Sequence, residues 1–362
     1  MADRASLTLD DLQPLATGST EAAQALPMGT GRSRLGRILG VRVAATGSYV
    51  PERIVTNDDL ARLGCDSEWI VQRTGILQRR HAADDQATSD LAYQAARSCL
   101  TAAQVDPSEI DLLLVATITP DHQTPSTACL LQERLGILAP AFDLGAACAG
   151  FVYALVTAAQ FIRTGAARRA LVIGAEVMSR TVNPDDKRTY PLFGDGAGAV
   201  LLVPDQPEGS GILGYTLGAE GSGGSLLCIP AGGSREPLTS EACATGRQFL
   251  NMDGRQVFKW AVRVVADSTL DVLAVAGLQA ADLKSIILHQ ANRRILDAAA
   301  EHLQVPADRL FVNVDRYGNT SAASVPIALD EAYRNQLLCR GDHLLLSGFG
   351  AGLAWGTALL RW

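Results

Sequence analysis

The chain has 362 residues, enough for two domains or one large duplicated one, and its 48% hydrophobic content is that of a folded rather than a disordered protein. Its formal net charge is -7, with Lys and Arg scattered instead of blocked, which points away from nucleic acid as a partner. Seven dispersed cysteines with no CxxC pair and no His-containing metal spacing fit reduced thiols in a cytoplasmic protein without a metal centre.

Residues 1–36 are rich in Ala, Gly, Ser and Thr and read as a flexible N-terminal extension; 1–27 holds no apolar run of signal length, so secretion is not expected. The folded body is expected to begin near Gly40, where Val41, Val43 and Ala45 alternate. A short helix over 56–63 follows, with Thr56 and Asn57 as candidate caps. The spacing of Leu91, Ala92, Ala95, Ala96 and Leu100 predicts a helix over 89–103. Residues 111–116 form an apolar run of the buried parallel-strand kind. A helix over 126–135, a strand over 139–144, a helix over 148–164 and strands over 170–175 and 196–203 complete a first pass. A second begins near Gly211, with helices over 251–274, 293–303 and 324–335 and strands over 283–288, 343–348 and 353–360. No apolar stretch approaches the roughly 20 residues that span a bilayer, so membrane insertion is not expected. Both passes close with a Gly-rich turn before an apolar run, Phe193-Gly194-Asp195-Gly196-Ala197-Gly198 and Phe349-Gly350-Ala351-Gly352. The alternation predicts an α/β fold with sheets covered on both faces, divided into 37–208 and 209–362.

Three segments carry possible chemistry. At Gly145-Ala146-Ala147-Cys148-Ala149-Gly150 a strand runs through small residues into an apolar helix. Cys148 then sits near a helix N-terminus, where free N–H groups and the positive helix end stabilise a thiolate, although a buried inert thiol also fits. His289 lies where strand 286–288 gives way to a helix, a common place for a functional side chain in an α/β protein and equally for an ordinary histidine. In Tyr317-Gly318-Asn319-Thr320-Ser321, Gly318 and Asn319 suit a turn, and Thr320 or Ser321 could cap the next helix.

Taken in order, these segments resemble the β-ketoacyl-acyl carrier protein synthase III family of thiolase-fold condensing enzymes. The resemblance runs from about residue 38 to 362 and includes Trp69-Ile70-Val71-Gln72-Arg73-Thr74-Gly75-Ile76, the Cys148 segment, Phe193 to Gly198, His289 to Asn292, Gly318 to Ser321 and Gly348 to Gly356. It implies a five-layered α-β-α-β-α fold of two similar halves, assembled as a homodimer. It also implies that Cys148 is acylated by an acyl-CoA, that His289 and Asn319 bind the thioester carbonyl of malonyl-acyl carrier protein, and that backbone N–H groups of Cys148 and Gly350 hold an oxyanion. No metal or redox cofactor is implied. Trp69 matches the aromatic that stacks near the adenine of CoA, with Arg73 one turn away. Arg294 matches a basic residue that receives the carrier protein, and Lys259 adds to the same rim. Thr124 stands where acetyl-using members carry an aromatic at the end of the acyl pocket, which implies a medium or longer primer. The N-terminal extension is a second departure. The alternative within this resemblance is a specialised starter-unit synthase or an acyltransferase to an alcohol or amine, either of which keeps Cys148.

Overall fold

The computed structural model describes residues 33–206 and 210–362. The expected extension over 1–36 therefore lies outside the described residues except for its last four positions. In chain order the strands are β1 (Leu35–Leu39), β2 (Val41–Tyr49), β3 (Arg53–Thr56), β4 (Gln78–His81), β5 (Leu112–Ala116), β6 (Ala141–Leu144), β7 (Ala170–Val177), β8 (Asp195–Pro204), β9 (Gly211–Ala219), β10 (Leu227–Cys228), β11 (Asn251–Met252), β12 (Ser285–Leu288), β13 (His343–Gly350) and β14 (Ala354–Arg361).

Two five-stranded sheets carry the fold, ordered β2-β8-β7-β5-β6 and β1-β9-β14-β13-β12. Within the first, β5 is parallel to β6 and β7, and β8 is antiparallel to β7 and β2. The second repeats this pattern: β12 is parallel to β13, while β14 is antiparallel to β13 and β9. Thus β2, β5, β7 and β8 correspond to β9, β12, β13 and β14. The helices correspond too, with Thr88–Ala103 before β5 matching Gly254–Ala276 before β12, and Gly150–Arg163 before β7 matching Ser324–Arg334 before β13.

The last two helices form the central layer. Gly150–Arg163 buries Phe151, Val152, Ala154, Leu155, Val156, Ala158, Ala159 and Ile162, an apolar surface that extends nearly all round because a sheet lies on each side. β5 and β7 are buried at every position for the same reason, so they read as continuous apolar runs rather than alternating ones. Helices Thr88–Ala103 and Thr127–Leu135 cover the outer face of the first sheet; Gly254–Ala276 and Arg293–Leu303 cover that of the second. Close approach of the central layer needs glycine in β7: a Cβ on Gly174 would stand 2.3 Å from the Ala322 carbonyl oxygen.

The predicted elements reappear with shifted ends, and the structure adds several. β1 falls before the expected start at Gly40 and pairs antiparallel with β9, outside the first sheet. The ribbons β3-β4 and β10-β11 were not anticipated. The expected helix over 56–63 is a 3₁₀ run, Asp58–Leu63; Thr56 Oγ1 accepts the Asp59 N–H at 3.3 Å, whereas the Asn57 side chain turns inward to the Ile76 carbonyl. Residues 251–252 join a ribbon instead of the long helix, which starts after Asp253, whose carboxylate accepts the Gln256 N–H. Among the described residues no helix is long and apolar enough to cross a membrane, and no cluster of three His, Cys, Asp or Glu side chains could hold a metal ion.

Candidate active site

After β6 the chain makes a 3₁₀ turn, Ala147–Ala149, and only then enters the central helix at Gly150. Ala147 adopts φ +45°, a left-handed conformation that residues with a Cβ rarely take. The turn seats Cys148 with its Sγ 3.5 Å from Ser321 Oγ. Gly350, at the end of β13, closes over it: an added Cβ there would stand 2.9 Å from Cys148 Cβ and 3.0 Å from Sγ.

His289 follows the last residue of β12, and its N–H continues the parallel ladder to the Ser347 carbonyl at 2.7 Å. The ring is buried, packs edge-on against Phe349 at a centroid distance of 5.2 Å, and holds Ser324 Oγ 2.6 Å from Nδ1. Asn319 is pinned by its backbone, donating to the Leu192 carbonyl at 2.8 Å and accepting from Gly194 N–H at 3.0 Å. Its Oδ1 accepts the Ser321 N–H at 2.9 Å, which leaves Nδ2 without a protein partner among the described residues.

Cys148, His289 and Asn319 line one cavity of about 150 Å³, with apolar walls that include Ile118, Met178, Leu227, Leu250, Met252 and Phe349. Burial holds the imidazole neutral by pushing its pKa down to about 3. Burial also pushes the Cys148 thiol up to about 12, opposed by the Ser321 hydroxyl and reinforced by the Glu176 carboxylate. This reverses the thiolate expected from a helix N-terminus. Burial is the main cause, and the N–H groups of Ala149 and Gly150 bond to the Ala146 and Ala147 carbonyls within the 3₁₀ turn.

Glu176 is the site residue that the sequence reading passed over. Its signal is a lone acid in an otherwise apolar strand, Ala170–Val177, completely buried. Its carboxylate accepts hydrogen bonds from Thr119 Oγ1 at 2.6 Å, Ser321 Oγ at 3.0 Å, Thr117 Oγ1 at 3.1 Å and the N–H groups of Ile118 and Thr119. Burial nevertheless outweighs these bonds and raises its pKa to about 7.

The remaining expected site residues lie away from the Cys148–His289–Asn319 cavity floor. Trp69 and Arg73 share helix Ser67–Thr74, with the guanidinium carbon 4.2 Å from the indole centroid. That helix is tied to the cavity through Asn292, a lining residue whose Nδ2 donates to the Arg73 carbonyl at 3.1 Å. Arg294 is exposed and lies 5.7 Å over the ring of Phe258, another lining residue; exposed Lys259 follows it on the same helix. Thr124 is exposed on the segment before helix Thr127–Leu135 and is not among the residues lining this cavity, whose wall includes Leu227 of β10 and Met252 of β11.

Comparison with known proteins gives the family. A family model for 3-oxoacyl-[acyl-carrier-protein] synthase III matches residues 142–221, and one for the C-terminal part of the same enzyme matches 273–362. The β-ketoacyl-[acyl-carrier-protein] synthase III of Rhodopirellula baltica is 62% identical over 345 residues, covering 91% of this chain and all of that one. The chain belongs to the β-ketoacyl-[acyl-carrier-protein] synthase III family. The solved synthase III of Thermus thermophilus, at 45% identity, superposes with a TM-score of 0.82 over 88% of this chain and 98% of its own. A priming β-ketosynthase from the R1128 polyketide pathway superposes equally well, with a TM-score of 0.82 at 37% identity over 93% of this chain and 98% of its own. The fold is accordingly the thiolase-like α/β architecture of two similar halves, and the protein is an acyltransferase of the condensing-enzyme class.

Proposed function

We propose that the enzyme condenses an acyl-CoA primer with malonyl-acyl carrier protein through an acyl-Cys148 intermediate, releasing CoA and carbon dioxide and forming a 3-oxoacyl carrier. The supporting observation is one apolar cavity in which a cysteine faces a neutral imidazole and an oriented amide. In the first half-reaction Sγ attacks the primer carbonyl, and covalent capture splits one difficult condensation into two easier steps. N–H groups of Cys148 and Gly350 hold the developing oxyanion.

In the second half-reaction loss of carbon dioxide places charge on the malonyl thioester oxygen. Ser324 Oγ accepts the Gln290 N–H and lies 2.6 Å from His289 Nδ1; in this reading it donates its hydrogen to Nδ1, which leaves the ring proton on Nε2 as a donor. The Ser321 N–H holds Asn319 Oδ1, so Nδ2 is the second donor. Neutral donors stabilise the enolate without the cost of burying a counter-charge, and the carbanion then attacks acyl-Cys148. Transfer of the acyl group to an alcohol or amine would give this donor pair no enolate to serve.

The same reading places CoA against Trp69 and Arg73 at the entrance and the acidic carrier on Arg294 and Lys259. Assembly as a homodimer belongs to it as well, since the outer edge of β6 is unpaired among the described residues of one chain and Phe142 and Leu138 are exposed beside it. Cys148→Ala should abolish covalent acylation, whereas Asn319→Ala should acylate normally and lose malonyl decarboxylation by on the order of a hundredfold, read as carbon dioxide release. Equal loss of both half-reactions in Asn319→Ala would contradict the division of roles.

A further inference from the structure

The proton on Cys148 has a path that the condensation scheme leaves unassigned. Sγ contacts Ser321 Oγ at 3.5 Å, and that hydroxyl donates to Glu176 Oε1 at 3.0 Å. Because the hydroxyl hydrogen is committed to the carboxylate, the oxygen is left as an acceptor for the thiol S–H. Ser321 is held in this pose by a left-handed backbone, φ +48°, in the 3₁₀ turn Ser321–Ala323. Four further donors, from Thr117, Ile118 and Thr119, fix the carboxylate from the end of β5. No Lys, Arg or His hydrogen-bonds to or pairs with Glu176 among the described residues, and Cys148 is the titratable group that acts across Ser321.

We propose that Glu176, acting through Ser321 Oγ, stores the Cys148 proton during each turnover. This deepens the condensing reading and rests on Cys148 being its nucleophile. As the Sγ lone pair forms the bond to the primer carbonyl, the thiol proton passes to Ser321 Oγ and the Ser321 proton passes to Glu176. The carbonyl re-forms and the C–S bond to CoA breaks, CoA leaving as a thiolate that is protonated by solvent. Glu176 is then a neutral acid beside a thioester. When the malonyl-derived carbanion displaces Cys148, the departing thiolate recovers the stored proton along the same path, and Glu176 returns to its carboxylate. A carboxylate buried without a cation is costly, and its raised pKa of about 7 is what an acceptor that must alternate between two states requires. Ser321 touches the reacting sulfur; Glu176 acts through it as a positioning residue and proton store.

The test is the pH profile of Cys148 reactivity, measured both as acylation by acyl-CoA and as alkylation by iodoacetamide in the full-length enzyme. In the wild type both rates should climb about tenfold per pH unit below about 7 and level off above it. Glu176→Gln, which keeps the shape but cannot take the proton, should slow both rates at pH 7.5 by on the order of a hundredfold and replace the plateau with a continuous rise toward high pH. Ser321→Ala keeps the N–H that holds Asn319 and should give the same profile. Wild-type profiles in both variants would overturn the relay. If Glu176→Gln does not fold, Ser321→Ala and the wild-type inflection decide the matter. If no acyl-CoA acylates the wild type, the condensing reading fails, while the iodoacetamide profiles still judge the relay.

Discussion

A Gly350→Ala substitution adds one methyl carbon, and the structure leaves it nowhere to go but into Cys148, 2.9 Å from Cβ and 3.0 Å from Sγ. The sulfur must shift, and misplacement of a nucleophile by an ångström costs on the order of a hundredfold in rate. Gly350→Ala is therefore expected to fold and to lose acylation by about that factor, as single-turnover CoA release would show. His81 makes a different residue-scale prediction. It is buried, its Nε2 has no hydrogen-bond partner, and burial, then Arg53 and Arg79, lowers its pKa from 6.5 to about 4. Between those values the unfolded chain binds a proton that the folded one refuses. The stability due to neutral His81 is thus complete above about pH 6.5 and is lost as pH falls to about 4, about 3 kcal/mol in all. His81→Leu should flatten the acid limb of Tm against pH in that window; an unchanged limb would exclude His81 as its source.

Among the elements, the loop that carries Asn319 depends on a residue distant from it in sequence. Arg79 in β4 is fully buried, donates to the Val55 and Pro191 carbonyls and to Asn57 Oδ1, and has no carboxylate partner among the described residues. It remains charged, since burial lowers its pKa only to about 10. Pro191 leads directly into Leu192 and Gly194, the residues that hold the Asn319 backbone. Arg79→Met should cost about 3 kcal/mol or more of stability through the three stranded acceptors, and should depress decarboxylation more than acylation. A lower Tm with both half-reactions reduced equally would place Arg79 outside the support of Asn319. This dependence was not legible in the sequence, because a polar ribbon such as Gln78–His81 shows no burial signal. Strands buried on both faces, β5, β7 and β12, were legible as unbroken apolar runs, and helix Arg293–Leu303 as an amphipathic one. Cys148, His289 and Asn319 stood out by their local settings, but their meeting in one cavity depends on contacts across 171 residues of sequence, from 148 to 319, which spacing alone does not convey. Glu176 was hidden for the opposite reason, since its strand looks like core and its partners come from two other segments.

On the scale of the whole molecule, duplication explains the site. The turn bearing Cys148 precedes the central helix of one half, and the turn bearing Asn319 and Ser321 precedes the corresponding helix of the other. Packing the two helices between the sheets therefore brings the two turns together, with Sγ against Ser321 Oγ as their point of contact. Cys148 and the proposed enolate donors His289 and Asn319 are then held on rigid elements from opposite halves, within one core that includes Leu155, Val172, Leu329 and Leu346. The central claim is that this junction acylates and then condenses. Intact-mass measurement of the enzyme after mixing with an acyl-CoA, and again after adding malonyl-acyl carrier protein, tests it most directly. The account predicts one acyl group per chain on Cys148, discharged together with carbon dioxide release and formation of a 3-oxoacyl carrier. An adduct on another residue, or one that survives malonyl-acyl carrier protein and leaves only to an alcohol or amine, would contradict it.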